Sequence, residues 1–261
     1  MTFMAFDESY RRILNRLGYY NYQHGFILRH VNQETGWNSH LEKCRNFIIR
    51  ALEIFNPAKV TVLGSGWLLE LPLTEMLEKV RNVCLIDIIH PPEVRNQIGN
   101  LQGVELKTED ISGGLVEEVW QKTSGLSIFR KRRSINDIKV PEYLFDSDPG
   151  MVISLNILTQ LEILPVKYLL KKTNVGEMEI LRFRKEIQNN HLNLLKKYKS
   201  VLITDVTEIF TDSSGYKSEN PSVIIGLPDG QYKEKWTWDF DLKGSDYYGK
   251  RSVFNVEAII I

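Results

Sequence analysis

Apolar positions along this chain fall into two alternating rhythms. Residues 60–63 (VTVL), 83–86 (VCLI), 151–155 (MVISL) and 201–204 (VLIT) are short, nearly continuous apolar runs. Such runs mark strands covered on both faces. Residues 104–108 (VELKT) read as a further strand between the second and third of these. The intervening stretches carry a helical period instead. Residues 7–55 do so through Phe47, Ile48, Ala51, Leu52 and Ile54, and residues 177–197 through Ile180, Phe183, Ile187, His191, Leu194 and Leu195. Shorter helices fit residues 72–79, 91–100 and 115–121, the first two opened by Pro72 and by Pro91 with Pro92. Near the end, residues 235–241 (KEKWTWD) alternate polar and apolar, as an antiparallel strand with one covered face would. Turn-forming residues 242–250 follow, then a last apolar strand over 252–261. The pattern therefore predicts an α/β fold, a doubly wound, Rossmann-like sheet of seven strands. Five are parallel, an antiparallel hairpin closes them, and residues 1–57 form an N-terminal helical extension ahead of the main domain, 58–261.

Two stretches stand outside this rhythm. Residues 19–26 (YYNYQHGF) suit a lid, a partner surface or an amphipathic segment packed on the sheet. Residues 123–147 contain the basic run RKRR at 130–133, which reads either as solvated loop or as a binding patch.

The chemistry centres on residues 60–87. Gly64, Ser65 and Gly66 follow the first strand directly, and Asp87 ends the second. A glycine turn between strand and helix lets a ligand approach the backbone with no Cβ in the way. An acid roughly 20 residues further on sits at the neighbouring strand tip, where it accepts hydrogen bonds from a ribose. The spacing predicts a site for an adenosine-containing ligand.

Charge and cysteine content narrow the rest. The 261 residues hold 33 Lys plus Arg and 33 Asp plus Glu, so the formal charge is zero. That speaks against a nucleic-acid partner, with the 130–133 run alone keeping an RNA acceptor open. Cys44 and Cys84 lack the spacing of a metal site, and two lone thiols suit a reducing compartment. The first residues, MTFMAFDESYRR, lack the apolar stretch of a secretion signal, and no run approaches the roughly 18 apolar residues of a membrane span. The expectation is a cytoplasmic protein with no metal and no membrane association.

Over residues 58–261 the pattern resembles the class I S-adenosylmethionine-dependent methyltransferases, whose sheet is five parallel strands plus an antiparallel hairpin. The residues carrying the likeness are VTVLGSG at the first strand, LID ending on Asp87, TEDI containing Asp110, and VISLNILTQL after the fourth strand. More narrowly, the chain is similar to a bacterial methyltransferase-like group that joins an upstream W-x-x-H-L-x-x-x-R segment to LGSG-x-L-x-x-x-PL and SLN-x-L-x-QL. Here these are Trp37, His40, Leu41 and Arg45, then residues 63–73, then residues 154–161. The resemblance implies S-adenosylmethionine as cofactor, with Gly64, Ser65 and Gly66 beside its methionyl part. It implies Asp87 on the ribose with Ile88 near the adenine, and Asp110 on the adenine amino group with Ile111 adjoining. Asn156 would face both cofactor and methyl acceptor.

Departures from the family pattern matter as much. The acid usual two residues before the first glycine is Val62, and the usual third glycine is Leu68. Glu70 is the candidate to replace that carboxylate near the cofactor's ammonium. No [DNS]-P-P-[YFW] follows the fourth strand, which counts against methylation of an amino nitrogen on a base or a glutamine amide.

His40, His90 and Asn156 are the candidate catalytic residues, the histidines as general bases or as structural side chains. Trp37, His40 and Gln160 are the candidate acceptor contacts. For Trp37, His40 and Arg45 the alternative is a buried tryptophan, a satisfied histidine and a surface arginine. The expected activity is methyl transfer to a small molecule or other acceptor. A non-catalytic binding protein and an NAD-dependent oxidoreductase are the alternatives, and the closing antiparallel hairpin argues against the last.

Overall fold

The computed structural model describes residues 7–33, 35–123, 135–244 and 249–261; the basic run at 130–133 lies outside them. Three helices come first: α1 (Glu8–Leu17), α2 (Tyr19–Asn32) and α3 (Asn38–Phe55). Asp7 caps α1 by accepting the Tyr10 N–H at 2.8 Å, and Gly18 ends it in the left-handed conformation. Then come β1 (Lys59–Leu63), α4 (Leu73–Lys79), β2 (Asn82–Asp87), α5 (Pro92–Ile98), β3 (Val104–Thr108), α6 (Leu115–Thr123) and β4 (Met151–Leu155). The chain continues with α7 (Gln160–Lys172), α8 (Glu177–Leu195), β5 (Ser200–Thr211), β6 (Lys217–Pro221), β7 (Tyr232–Asp241) and β8 (Arg251–Ile260).

The strands form one mixed sheet in the order β3-β2-β1-β4-β5-β8-β7. From β3 to β5 neighbours are parallel; β8 and β7 are antiparallel to their neighbours. Strand alternation sends Val60, Val62, Val83, Leu85, Ile153 and Ile203 to one face, where they pack with α3, α4 and α5. Leu63, Cys84, Ile86, Val152 and Leu202 go to the other face, under α6, α7 and α8. On the first face, Trp37, Cys44, Phe47, Ile48, Ala51 and Leu52 share a single apolar core with the strands.

Two differences from the expected layout bear on the site. The sheet has eight strands, because β5 does not stop near Asp205. It bulges between Asp205 and Thr207 and runs on to Thr211, where β6 pairs with its extension. The sequence there, VTEIFT, keeps strand alternation, and Asp212 closes the turn by accepting the N–H groups of Ser214 and Tyr216. The other difference is α7, which was hidden because Pro165 sits inside it. The helix tolerates a residue with no N–H and packs Leu161, Leu164 and Leu169 inward.

Candidate functional site

Strand order reverses between β1 and β4, so the loops leaving them diverge and open a crevice at the carboxyl edge of the sheet. The cleft is narrow and partly open to solvent. Gly64 and Gly66 come from the loop after β1, Asp87 and Ile88 from the end of β2, and Asp110, Ile111 and Ser112 from beyond β3. Leu155, Asn156 and Ile157 follow β4, and Gln160, Leu161 and Leu164 belong to α7. The fourth wall is α2, through Tyr19, Tyr22, Gln23 and Phe26.

The glycine turn is shaped by contact. Gly64 has φ +80°, and its N–H donates to the Ile86 carbonyl at 2.9 Å. A Cβ there would lie 2.8 Å from Ile157 Cβ and 2.9 Å from the Leu155 carbonyl oxygen. Only glycine lets the two loops touch. Gly66, at φ +48°, meets nothing within 4 Å, so the missing side chain leaves open space. Leu68, at the expected third-glycine position, holds φ +62° while buried, a strained conformation for a leucine. The loop is braced from outside: Arg45 Nη2 donates to the Leu69 carbonyl at 2.6 Å, and Trp67 Nε1 donates to the Gln23 carbonyl of α2 at 3.1 Å.

Three carboxylates reach the cleft. Asp87, buried, accepts the Gly66 N–H at 2.8 Å through Oδ2 and the Ile89 N–H at 3.3 Å through Oδ1. A carboxylate offers about four acceptor positions; with the Ile88 N–H also close, some acceptor capacity remains. Burial pushes its acidity above the ordinary carboxylate value, opposed by the neighbouring His90 and by the Gly66 N–H. Asp110 is raised by burial as well, but its acceptor positions are filled. Ser112 donates its N–H and hydroxyl to Oδ1, while Tyr10 OH (3.0 Å) and Val116 N–H (3.4 Å) donate to Oδ2. Glu70, also buried, lies 3.8 Å from His40 Nε2.

Asn156 has a left-handed backbone, φ 49°. Its N–H donates to the Ile203 carbonyl at 2.8 Å, and its carbonyl accepts from Gln160 Nε2 at 2.6 Å. The other expected residues stand behind the cleft. Ser65 is buried, its N–H on the Ile86 carbonyl at 3.3 Å. Trp37 is fully buried among Phe26, Trp238 and Phe240, and its Nε1 donates to the Phe240 carbonyl at 3.0 Å. His40 stacks on Trp238 with 3.9 Å between ring centres, and its Nδ1 accepts from Trp236 Nε1 at 3.0 Å. His90 is buried with Nε2 bonded to the Lys107 carbonyl at 2.9 Å, and burial lowers its basicity against the pull of Asp87. Neither imidazole lines the cleft.

Gly64, Gly66, Glu70, Asp87, Ile88, Asp110, Ile111, Asn156 and Gln160 thus share one cavity, whereas Ser65, Trp37, His40 and His90 do not. Residues 19–26, expected as a lid, a partner surface or a packed segment, line the cleft through α2, whereas Trp67, Leu161 and Leu164 were not anticipated as lining residues. The tyrosine-rich character of residues 19–26 was the available signal for α2, and Trp67 beside Gly66 was the signal for the loop.

Among the described residues the lining holds three carboxylates and no lysine, arginine or histidine. Its apolar walls lower the dielectric around them, so a ligand with positive charge and several hydrogen-bond donors is favoured and an anionic one is opposed. No helix among the described residues is long and apolar enough to cross a membrane.

No family model and no curated protein matches this chain. Among solved structures, the methyltransferase domain of bacterial CtHen1-CN aligns at 10% identity over 82% of this chain and 95% of its own, with a TM-score of 0.32. A superposition that loose adds no weight to the reading of the site, which rests on the sheet order and the cleft.

Proposed function

We propose that the cleft binds S-adenosylmethionine and that the chain is a methyltransferase of the class I type. The observation that carries this reading is a crevice at the strand-order reversal, lined among the described residues by three carboxylates and no cationic side chain. The residues fit the cofactor in kind. Asp87 has acceptor capacity left for a ribose diol. Ile88 and Ile111 give an apolar slot for a base. Glu70 supplies the negative charge that Val62 lacks, and Phe26, Tyr22 and Trp67 offer aromatic faces to a sulfonium.

The same features oppose the dinucleotide alternative. A pyrophosphate would meet carboxylates, and α4 opens at Leu73 rather than at the glycine turn, so no helix N-terminus begins there to receive it. The strand beyond β5 is antiparallel, whereas a dinucleotide fold continues with a parallel one.

When bound, S-adenosylmethionine supplies an electrophilic methyl group, whose transfer leaves the C–S bonding pair on sulfur. The chain's own work is alignment and exclusion of water. Asn156 and Gln160 orient the acceptor, and α2 with Trp67 closes the side of the cleft. Among the described residues no imidazole or amine lines it, so a proton leaving the acceptor passes to Glu70 or to solvent. That absence of a conventional base also supports the second reading, a cofactor-binding protein that does not turn over.

Thermal unfolding with S-adenosylmethionine, S-adenosylhomocysteine and NAD, each at about 100 times a micromolar Kd, tests the proposal. The two adenosyl compounds are expected to stabilise by about 2.7 kcal/mol. A shift with NAD alone, or with none of the three, overturns it.

A further inference from the structure

His40 is hidden behind the cleft, but its hydrogen bonds govern what the cleft presents. Trp236 Nε1–H is a donor and nothing else, and it lies 3.0 Å from His40 Nδ1. Nδ1 must therefore carry a lone pair, which leaves the ring proton on Nε2. Nε2 in turn sits 3.4 Å from the Asn156 amide group. With the amide nitrogen toward the ring, two donors face each other, and Asn156 Oδ1 is buried without a partner. Oxygen and nitrogen of a side-chain amide are told apart by the network around them. Half a turn about the terminal torsion removes both conflicts, because Oδ1 then accepts the Nε2 proton. The NH2 group then takes the buried, unpartnered position of Oδ1, in a residue that lines the cleft, where an occupant can pair it. The Asn156 N–H is held by Ile203 and its carbonyl by Gln160; Cys44 Sγ at 3.5 Å and Glu70 Oε1 at 3.8 Å are the other groups near the Nε2 proton, both farther than the Asn156 amide.

We infer that Trp236, His40 and Asn156 form a relay that fixes the Asn156 amide as a hydrogen-bond donor toward the cleft, so that the methyl acceptor presents a lone-pair atom there. Trp236 and His40 are positioning residues, and only Asn156 touches the occupant. Glu70 adds a second restriction. Its carboxylate lies 3.8 Å from the same imidazole nitrogen, so an anionic oxygen beside Asn156 would be repelled. An uncharged carbonyl oxygen or an unprotonated ring nitrogen satisfies both. The substrate class rests on the methyl-transfer reading; the polarity of Asn156 does not.

Two neutral aromatic probes of similar size separate the possibilities: quinoline, with a lone-pair nitrogen, and indole, with an N–H. Each is titrated into the whole protein, with and without S-adenosylhomocysteine, and followed by chemical-shift changes. In the native protein quinoline is expected to bind about tenfold more tightly than indole, the difference one unpaired polar group makes. In Asn156→Asp one carboxylate oxygen keeps the His40 proton, the other faces the cleft as an acceptor, and the preference inverts. Nitrogen-15 spectra of the native protein should show the His40 proton on Nε2, and Trp236→Phe should release that tautomer. A proton on Nδ1 of the native protein, or the same probe order in both proteins, overturns the relay. Failure of S-adenosylhomocysteine to bind would remove the methyl-transfer reading while leaving the tautomer and probe results to decide the relay on their own.

Discussion

Replacing Asp87 by asparagine separates a ligand-gripping carboxylate from a structural one. In the native chain its oxygens hold two backbone N–H groups, at 2.8 Å from Gly66 and 3.3 Å from Ile89. Acceptor capacity is left for a ribose diol. An asparagine has one oxygen, so it keeps at most one of the backbone donors and turns its own NH2 toward the other. It also offers the diol at most one neutral bond. Each hydrogen bond to a charged group contributes about 1.5–3 kcal/mol, so losing two charge-assisted bonds costs about 3–6 kcal/mol of binding. The affinity for S-adenosylhomocysteine should fall by about 10²–10⁴-fold in calorimetry. The unliganded protein should change far less. Burial disfavours the ionised Asp87, so removing the charge offsets the weakened hold on Gly66, and the unliganded melting temperature should move by only a few degrees. An Asp87→Asn protein that melts like the native one and binds the ligand within threefold of native affinity would refute the assignment.

The glycines make a paired test: Gly64→Ala forces a Cβ to within 2.9 Å of the Leu155 carbonyl and should cost more than about 3 kcal/mol or prevent folding. Gly66→Ala meets open space and should cost only the left-handed backbone penalty, about 1–2 kcal/mol; urea unfolding of both measures the contrast. Glu162 is raised by burial from 4.5 to about 7 despite its Arg184 partner 2.6 Å away. A carboxyl raised on folding is stabilising below its unfolded value, and that stability is lost as pH climbs through the folded value. Glu162→Gln should therefore gain about 3 kcal/mol on the native protein between pH 4.5 and 8, read from urea unfolding at both. His191 has the opposite sign: burial lowers it from 6.5 to about 4, so the native fold loses stability as pH falls through that window. His191→Gln should remove about 3 kcal/mol of that acid sensitivity in the same assay.

Four strands of the parallel half, β1, β2, β4 and the start of β5, were legible because they are covered on both faces, which leaves nearly continuous apolar runs; β3, at the edge, has a mixed sequence. Asp87 and the glycine turn were legible for a related reason: strand ends are fixed by those runs, and the site lies where the strands end. What stayed hidden lay in tertiary contact. The tyrosines of α2 and the Trp67 side chain become a wall only because Trp67 bonds to Gln23, a pairing 44 residues apart that no local pattern encodes. Asp110 reads as a free acceptor in sequence, yet Tyr10, one hundred positions earlier, donates to it. His40 and Trp37 carried the chemistry-bearing residue types, but the alternation of Trp236, Trp238 and Phe240 along β7 builds an aromatic face that takes both inside.

A cleft that buries carboxylates without partners of opposite charge is costly to the empty protein, and that cost says something about its occupant. Asp87 and Asp110 both have their acidity pushed upward by burial, so each binds protons more readily folded than unfolded. The contribution is stabilising at low pH and is lost as pH rises past the folded values. Tyr10 offsets part of this at Asp110, and two amide groups offset part at Asp87, but the remaining acceptor positions of Asp87 face the cavity. A ligand bringing hydroxyl donors and a positive charge relieves Asp87 as a proton does, so proton and ligand compete for its oxygens. Binding should then strengthen as pH rises through the raised Asp87 value while the unliganded fold weakens. Such opposite trends follow from a site whose electrostatics serve binding at some expense to stability, and they would be absent from a cleft whose carboxylates were merely structural.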